Sequence, residues 1–227
     1  GNYPPSPPAC GAAKVLIPIT IWSIETMEQT IERFQFVFLV AGIGFFGLAF
    51  IVSGVVTVNA VSDLPYTSLD EMSEDVSPYF IALSRQYPDQ FEKHFPGGPT
   101  SENYRDALNT GRNIYIAEGC WHCHTQQVRP VANEDIRFGP VSTAAEQQHE
   151  LMMPQLMGTR RVGPDLSRES GFRSNDWHVA HFYNPRSVSP TSVMPSYPWF
   201  FDGLEPNKKG MSMITYMQWL GSNVEQQ

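Results

Sequence analysis

Basic residues and cysteines are both scarce in this sequence of 227 residues. Its 15 Lys and Arg are outnumbered by 23 Asp and Glu, which gives a formal net charge of -8 at pH 7. Binding to nucleic acid depends on clustered cations that neutralise phosphates, and the sequence contains no such cluster. We therefore expect no nucleic-acid partner. The hydrophobic share of 41% supports one compact domain with attachments, and hardly two domains with separate cores.

One short motif uses two of the three cysteines, because residues 120–124 read Cys-Trp-His-Cys-His. The C-x-x-C-H spacing is typical of covalent c-type haem attachment, in which both thiols add to the haem vinyl groups and the histidine ligates the iron. It predicts one haem c held by Cys120 and Cys123, with His124 as an axial ligand. Cys10 then has no intrachain partner, which excludes a disulfide framework, and we expect an ordinary free thiol there.

A zinc knuckle is the alternative for this motif, with Cys120, Cys123 and either His122 or His124 as ligands. Closed tetrahedral zinc sites usually draw their ligands from two separated pairs, and the chain has no second pair of cysteines. The spacing therefore favours haem over zinc.

A long apolar run near the N-terminus predicts a membrane anchor. Residues 34–62 contain no charged side chain, and residues 36–58 suffice, at about 1.5 Å per residue, to cross a hydrocarbon core of about 30 Å. A cleaved signal peptide is the alternative, with a tolerable cleavage site at Ala60, but the run exceeds an ordinary h-region. We expect a retained transmembrane helix within 23–62, preceded by an extended, proline-rich tail at 1–22.

The charges on either side of the apolar run predict its orientation. Lys14 and Arg33 precede the run, whereas the first cation after it is Arg85, so the positive-inside rule places the N-terminus in the cytoplasm. Residues 63–100 are acidic and broken by prolines, with Pro-Gly-Gly-Pro at 96–99, and we expect an extracytoplasmic linker there, with a helical piece at 77–91 as an alternative for that stretch. Its many aromatic side chains suggest that this linker lies on the surface of a partner.

Helical periodicity occurs at both ends of residues 101–227. Ser101 is the predicted N-cap of a helix whose apolar residues recur at helical spacing up to the haem motif, and a second such pattern ends at Gly221, a typical helix stop. Two helices that bracket a haem loop are the skeleton of a class I cytochrome c, where the first and last helices cross near a small residue, here Gly111. We therefore predict an all-α fold, with a single N-terminal transmembrane helix followed by a class I cytochrome c domain.

The second axial ligand has to come from a loop distant from His124, and the chain offers nine methionines. Met194 lies in a proline-rich segment before the last helical pattern, where class I cytochromes supply their methionine. Met153, which also precedes a proline, is the alternative. Met213 and Met217 lie on the C-terminal helical pattern and are expected in the core. Met194 is the predicted ligand.

Residues 163–166 read Gly-Pro-Asp-Leu, and class I cytochromes use such a turn to accept the N–H of the proximal histidine. We assign that role to the carbonyl of Pro164, with an ordinary proline turn as the alternative. Arg129 and Arg161 are assigned to the haem site, as donors of charge-assisted hydrogen bonds to the haem propionates or to a partner. Two further arginines have the same chemistry, and the sequence does not choose among the four: Arg160 and Arg186.

His178, which follows Trp177, and His181 are three residues apart and would share a helix face, which invites a bis-histidine or metal-site interpretation. With Met194 at hand, we expect them to pack or to form hydrogen bonds near the propionates instead.

From residue 104 onward the chain resembles the membrane-anchored mono-haem cytochrome c subunit, subunit II, of cbb(3)-type haem-copper oxidases. The most specific string is Met-Pro-Ser-Tyr-Pro-Trp at 194–199, since the corresponding segment of that family carries the axial methionine. The other matching strings, besides the haem motif, are Gly111-Arg112, Ile114-Tyr115-Ile116, Glu118-Gly119-Cys120, Arg129-Pro130, Arg161, Gly163-Pro164-Asp165-Leu166, Trp177-His178, His181 and Asn184-Pro185-Arg186.

The resemblance implies an electron-transfer subunit that relays single electrons through one covalently bound haem c to a haem-copper catalytic subunit, which reduces O2 to water. No bond chemistry would occur on this chain. The implied partners are that catalytic subunit and further cytochrome c subunits in the bacterial cytoplasmic membrane, with the haem domain on the periplasmic side. The alternatives are the equivalent subunit of a nitric oxide reductase, an anchored cytochrome that shuttles between respiratory complexes, and a haem-based sensor with an open sixth position.

Overall fold

The computed structural model describes residues 1, 21–156, 158 and 160–222, with side-chain surroundings given from residue 28 onward. The chain divides into two compact units, Gly1–Ser62 and Asp63–Gln227. Cys10, Lys14 and most of the proline-rich tail lie outside the described residues, so the expectations placed on them stay predictions.

From residue 21 onward, the first unit is described as consecutive helical segments: α1 (Ile21–Phe50), a π-helical stretch (Ile51–Val56) and α2 (Thr57–Val61). Within it, Glu28–Val61 is long and apolar enough to cross a membrane, with a mean hydropathy of 2.5 and none of its apolar window buried. Such a surface is unfavourable in water, whereas in lipid a helix satisfies its backbone hydrogen bonds internally. The helix expected for the anchor is therefore present.

The second unit begins with three short helices, where the sequence suggested a linker. They are α3 (Leu69–Glu74), α4 (Pro78–Gln86) and α5 (Pro88–His94). Two of the prolines that were taken as breakers, Pro78 and Pro88, occupy the first position of a helix, where the missing N–H has no intrahelical partner to lose.

An aromatic cluster fixes these helices to the rest of the unit. Phe80, Phe91 and Phe95 are at most 2% exposed, and the ring of Phe80 contacts that of Tyr104 with centroids 5.3 Å apart. Three of the six aromatic side chains that suggested a partner surface are thus buried in the core of this same chain, whereas Tyr66 is 54% exposed. Residues 63–100 differ from the expected linker for that reason.

The centre of the second unit is the crossing of α6 (Ser101–Ala117) and α10 (Lys208–Trp219). Gly111 lies at the crossing, where a Cβ would come within 2.7 Å of the Tyr216 Cβ, so only glycine allows this approach. The N-cap of α6 is Thr100, whose hydroxyl accepts the N–H of Asn103 at 3.2 Å, one residue before the predicted Ser101. At the far end, Gly221 follows α10 with φ +87°, as expected of a helix stop.

The segments between these two helices carry the loops of the site. They contain a two-stranded antiparallel hairpin, β1 (Phe201–Asp202) with β2 (Glu205–Pro206), in which Phe201 pairs with Pro206. The remaining helices are α7 (Glu134–Phe138), α8 (Asn175–Tyr183) and α9 (Pro185–Val188). The predicted all-α class is confirmed, since this hairpin is the only sheet among the described residues.

Candidate functional site

The haem motif follows directly after α6. Gly119 adopts a left-handed conformation (φ 69°) that turns the chain into a short 3₁₀ helix, Cys120–His122. The N–H groups of Cys123 and His124 donate to the carbonyl of Cys120 at 3.2 and 2.9 Å and close the turn. Neither cysteine is in a disulfide, and burial raises the pKa of the Cys120 thiol to about 12. The thiols of Cys120 and Cys123 and the imidazole of His124 therefore belong to the same turn.

The imidazole of His124 is held by the turn at residues 163–166. Its Nδ1 lies 3.0 Å from the carbonyl oxygen of Pro164, as predicted for that residue. Gly163 approaches so closely that a Cβ there would lie 2.6 Å from the same Nδ1. Burial lowers the pKa of His124, while the bond to Pro164 opposes the shift. A neutral ring that donates from Nδ1 keeps its lone pair on Nε2, the form in which histidine binds iron.

The backbone of His124 is fixed from the other side by α6. The hydroxyl of Tyr115 donates to the carbonyl of His124 at 2.7 Å, and the Tyr115 ring packs on that of Tyr216 with centroids 5.7 Å apart. The helix crossing and the predicted axial ligand are therefore directly connected.

The segment that carries Met194 folds against the haem motif. The indole Nε1 of Trp199 donates to the carboxylate of Glu118 at 2.9 Å, and Tyr197 hydrogen-bonds with the thiol of Cys120. The N–H of Tyr197 also donates to the carbonyl of Phe182 at 2.9 Å. Met194 itself is half-buried against the core. These contacts tie the segment of the predicted methionine to the residues of the motif.

The other methionines lie in different surroundings. Met153 has a side chain that is 49% exposed, and its carbonyl accepts from Nη2 of Arg112 at 2.6 Å. Met213 and Met217 are buried on α10, as expected for core residues.

Arg129 and Arg161, which were assigned to the propionates, converge on Glu134. The Glu134 side chain is 1% exposed and accepts from Nε of Arg129 at 3.0 Å and from Nε of Arg161 at 2.8 Å. The hydrogen bond from Arg129 is the main cause that lowers the pKa of Glu134 to about 2. Arg161 also donates to Asp165 at 2.8 Å, directly after Pro164. This network braces the turn that faces His124, and the propionate role stays a prediction.

The zinc alternative finds no support in the structure. Among the described residues, no group of three or more His, Cys, Asp or Glu side chains is placed to hold a metal ion. The donor set fits a c-type haem instead: two adjacent thiols, a neutral imidazole with its Nε2 lone pair available, and a methionine segment fastened to the same motif.

Sequence reasoning missed the residues that brace the site. Glu118 and Tyr115 fall within the matching strings, yet their hydrogen bonds to Trp199 and to the His124 carbonyl depend on the folded loops. Glu134 lies in no motif, and no sequence signal connects it to Arg161.

Two comparisons bear on what the chain is. A model of the family described as "Cytochrome C oxidase, mono-heme subunit/FixO" matches residues 99–227, more than half of the chain. The search among curated proteins finds no match. Short strings of the sequence indicated a resemblance to the mono-haem subunit of cbb(3)-type oxidases, and the family match confirms it.

Proposed function

We propose that this chain, which belongs to the FixO family of mono-haem cytochrome c oxidase subunits, passes single electrons through one haem c to the catalytic subunit of its oxidase. The family makes the chain a subunit of an oxidase complex and implies one haem. The covalent attachment, the ligands and the direction of electron flow belong to the proposal.

The observation that carries the proposal is the His124–Pro164 contact, with Nδ1 3.0 Å from the carbonyl oxygen. This bond fixes the tautomer and the orientation of the ring, so Nε2 is the nitrogen that would ligate the iron. Cys120 and Cys123 would form the two thioether links, and Met194 would supply the sixth ligand. When bound, the haem supplies a one-electron couple, and a methionine ligand favours a relatively high potential.

The remaining chain residues orient and shield that site. Tyr115 and Pro164 hold His124 from two sides, while Trp199 and Tyr197 hold the Met194 segment against the motif. No described residue is proposed to make or break bonds in a substrate.

We further propose that the apolar helix anchors the chain in the bacterial cytoplasmic membrane, with the N-terminus cytoplasmic and the haem unit on the periplasmic side. Its partners would be the haem-copper catalytic subunit and further cytochrome c subunits. Reduction of O2 to water would take place on that catalytic subunit.

Native isolation from membranes in mild detergent tests the assembly. We expect the chain to co-purify with a haem-copper subunit and to retain haem after denaturation, as a covalent link requires. A chain that is monomeric under these conditions would contradict the oxidase role and favour an anchored shuttle. Co-purification with a catalytic subunit that reduces nitric oxide, but not O2, would favour the reductase alternative.

Replacing Met194 with leucine tests the ligand. Leucine has no donor atom, so the reduction potential should fall and carbon monoxide should bind to the reduced haem. Met153→Leu is the matched control, because that side chain is half exposed and also precedes a proline, and it should leave both properties unchanged. An unchanged potential and Soret spectrum in Met194→Leu would remove the assignment.

A further inference from the structure

A stack of side chains on and beside α8 ends on His181. The guanidinium carbon of Arg173 lies 4.0 Å from the centre of the Trp177 ring, and the Trp177 ring stacks on the His181 imidazole with centroids 4.4 Å apart and planes 15° apart. Cation–π and stacking contacts of this kind restrict the rotamers of the rings involved. His181 is therefore held in one orientation by residues that the proposed function does not use.

This stack lies at the haem site. The imidazole of His181 is near enough to His124 to interact with it electrostatically, although burial is the larger cause that lowers the pKa of His181 to about 4. The next residue, Phe182, accepts the N–H of Tyr197 at 2.9 Å, and Tyr197 belongs to the Met194 segment. His181 thus lies near His124, and the residue after it is hydrogen-bonded to the Met194 segment.

His181 also has an unused polar atom. Its Nδ1 is buried and has no hydrogen-bond partner within the described part of the chain. A buried polar group without a partner destabilises the fold, and a ligand that supplies an acceptor would remove that penalty. A haem carries two propionate carboxylates, which accept hydrogen bonds. The arginines first assigned to them already donate to Glu134, Asp165 and the carbonyl of Gln127.

We propose that His181, held by Trp177 and Arg173, donates a hydrogen bond to a haem propionate and so acts as a positioning residue that raises the reduction potential. The inference rests on the proposed function, because it requires one haem at His124. The negative charge of a bare propionate stabilises the oxidised, more positive haem. A hydrogen-bond donor offsets part of that charge, so it weakens this stabilisation and raises the reduction potential. Loss of the donor therefore lowers the potential.

The test compares His181→Leu, His181→Asn and the control His94→Leu in the full-length, haem-loaded protein. His94 is a suitable control because it also has a buried ring nitrogen without a hydrogen-bond partner, but it lies at the end of α5, next to Lys93. At a given potential, the ratio of oxidised to reduced haem should be about tenfold higher in His181→Leu than in the wild type. Potentiometry should therefore show a reduction potential lower by about 59 mV, the tenfold step of a one-electron couple. His181→Asn retains a donor and should recover part of the shift, and His94→Leu should show none.

Resonance Raman spectra provide a second readout, since the propionate bending band reports hydrogen bonding to the carboxylate. We expect the band to shift in His181→Leu, and to shift less in Trp177→Leu, which removes the stack but keeps the imidazole. If His181→Leu fails to fold, the reduction potential and the propionate band are compared in Trp177→Leu instead. Trp177→Phe is then the matched control, because it keeps an aromatic ring beside His181.

The outcomes separate the two proposals. A wild-type protein without covalent haem would overturn the proposed function, and this inference with it. A haem-loaded His181→Leu with wild-type potential and an unshifted propionate band would overturn this inference alone. Loss of an axial nitrogen ligand in His181→Leu would also overturn it, because His181 would then bind the iron itself.

Discussion

Replacing Gly163 with alanine disturbs His124 without changing any residue of the haem motif. An alanine Cβ at this position would lie 2.6 Å from Nδ1 and 2.7 Å from Nε2 of His124, and real Cβ contacts essentially never fall below 3.0 Å. Either the ring or the turn at 163–166 must therefore move. Ordinary van der Waals contact begins near 3.4 Å, so the displacement is on the order of 1 Å.

A displacement of this size breaks the bond between His124 and Pro164, which is 3.0 Å long. Overpacking of this kind costs about 1–3 kcal/mol in stability. Loss of the bond makes the imidazole a poorer electron donor, so the reduction potential should rise, opposite in sign to the change expected for His181→Leu. Urea unfolding and potentiometry of the haem-loaded protein measure the two effects.

Gly203→Ala is the matched control for this prediction. Gly203 has φ +71° with open space around it, so alanine there adds backbone strain of about 1–2 kcal/mol but touches no side chain. Its potential should equal that of the wild type. If Gly163→Ala also keeps the wild-type potential and spectrum, the argument that this turn positions an iron ligand fails.

Three further predictions concern buried titratable groups in the second unit. Glu134→Gln should destabilise the fold by about 3 kcal/mol in urea, because it removes the buried carboxylate shared by two arginines, whereas Asp70→Asn breaks an exposed pair and should cost no more than about 1 kcal/mol. Equal costs would contradict the structural role of Glu134. The pKa of His178 is lowered to about 3 by burial, so the unfolded chain binds a proton near pH 6.5 that the folded chain does not. Stability should therefore fall between pH 6.5 and pH 3, by up to about 1.4 kcal/mol per pH unit. Burial raises the pKa of Glu169 to about 7, which stabilises the folded chain on acidification, so Glu169→Gln should steepen the loss in urea unfolding measured from pH 4 to pH 7. A shallower slope in that variant would contradict the assignment.

The parts of the fold that follow from local patterns could be predicted from the sequence. The spacing of the haem motif and the apolar run each depend on a few neighbouring residues or on a regular period, whereas the approach of two helices at Gly111 was expected from the likeness to class I cytochromes. Pro164 belongs with them, since its turn is recognised by the short string in which it stands.

The segment at 63–100 could not be predicted in this way, because its prolines have two possible meanings. Pro78 and Pro88 end a helix if they lie within it, but they suit a helix that starts there. Only the burial of Phe80 against Tyr104 shows that helices form here and that these prolines start them. That contact depends on the folded core. Glu134 was missed for a similar reason, since its partner Arg161 lies far along the chain.

The crossing of α6 with α10 also bears on the order of events during biosynthesis. The ribosome completes the haem motif well before it makes α10, and the core cannot close until that last helix is available. Until then Cys120 lacks the Tyr197 segment that helps to bury it. We therefore expect both thiols to be more accessible on the incomplete chain than in the folded protein, where Cys120 is partly buried.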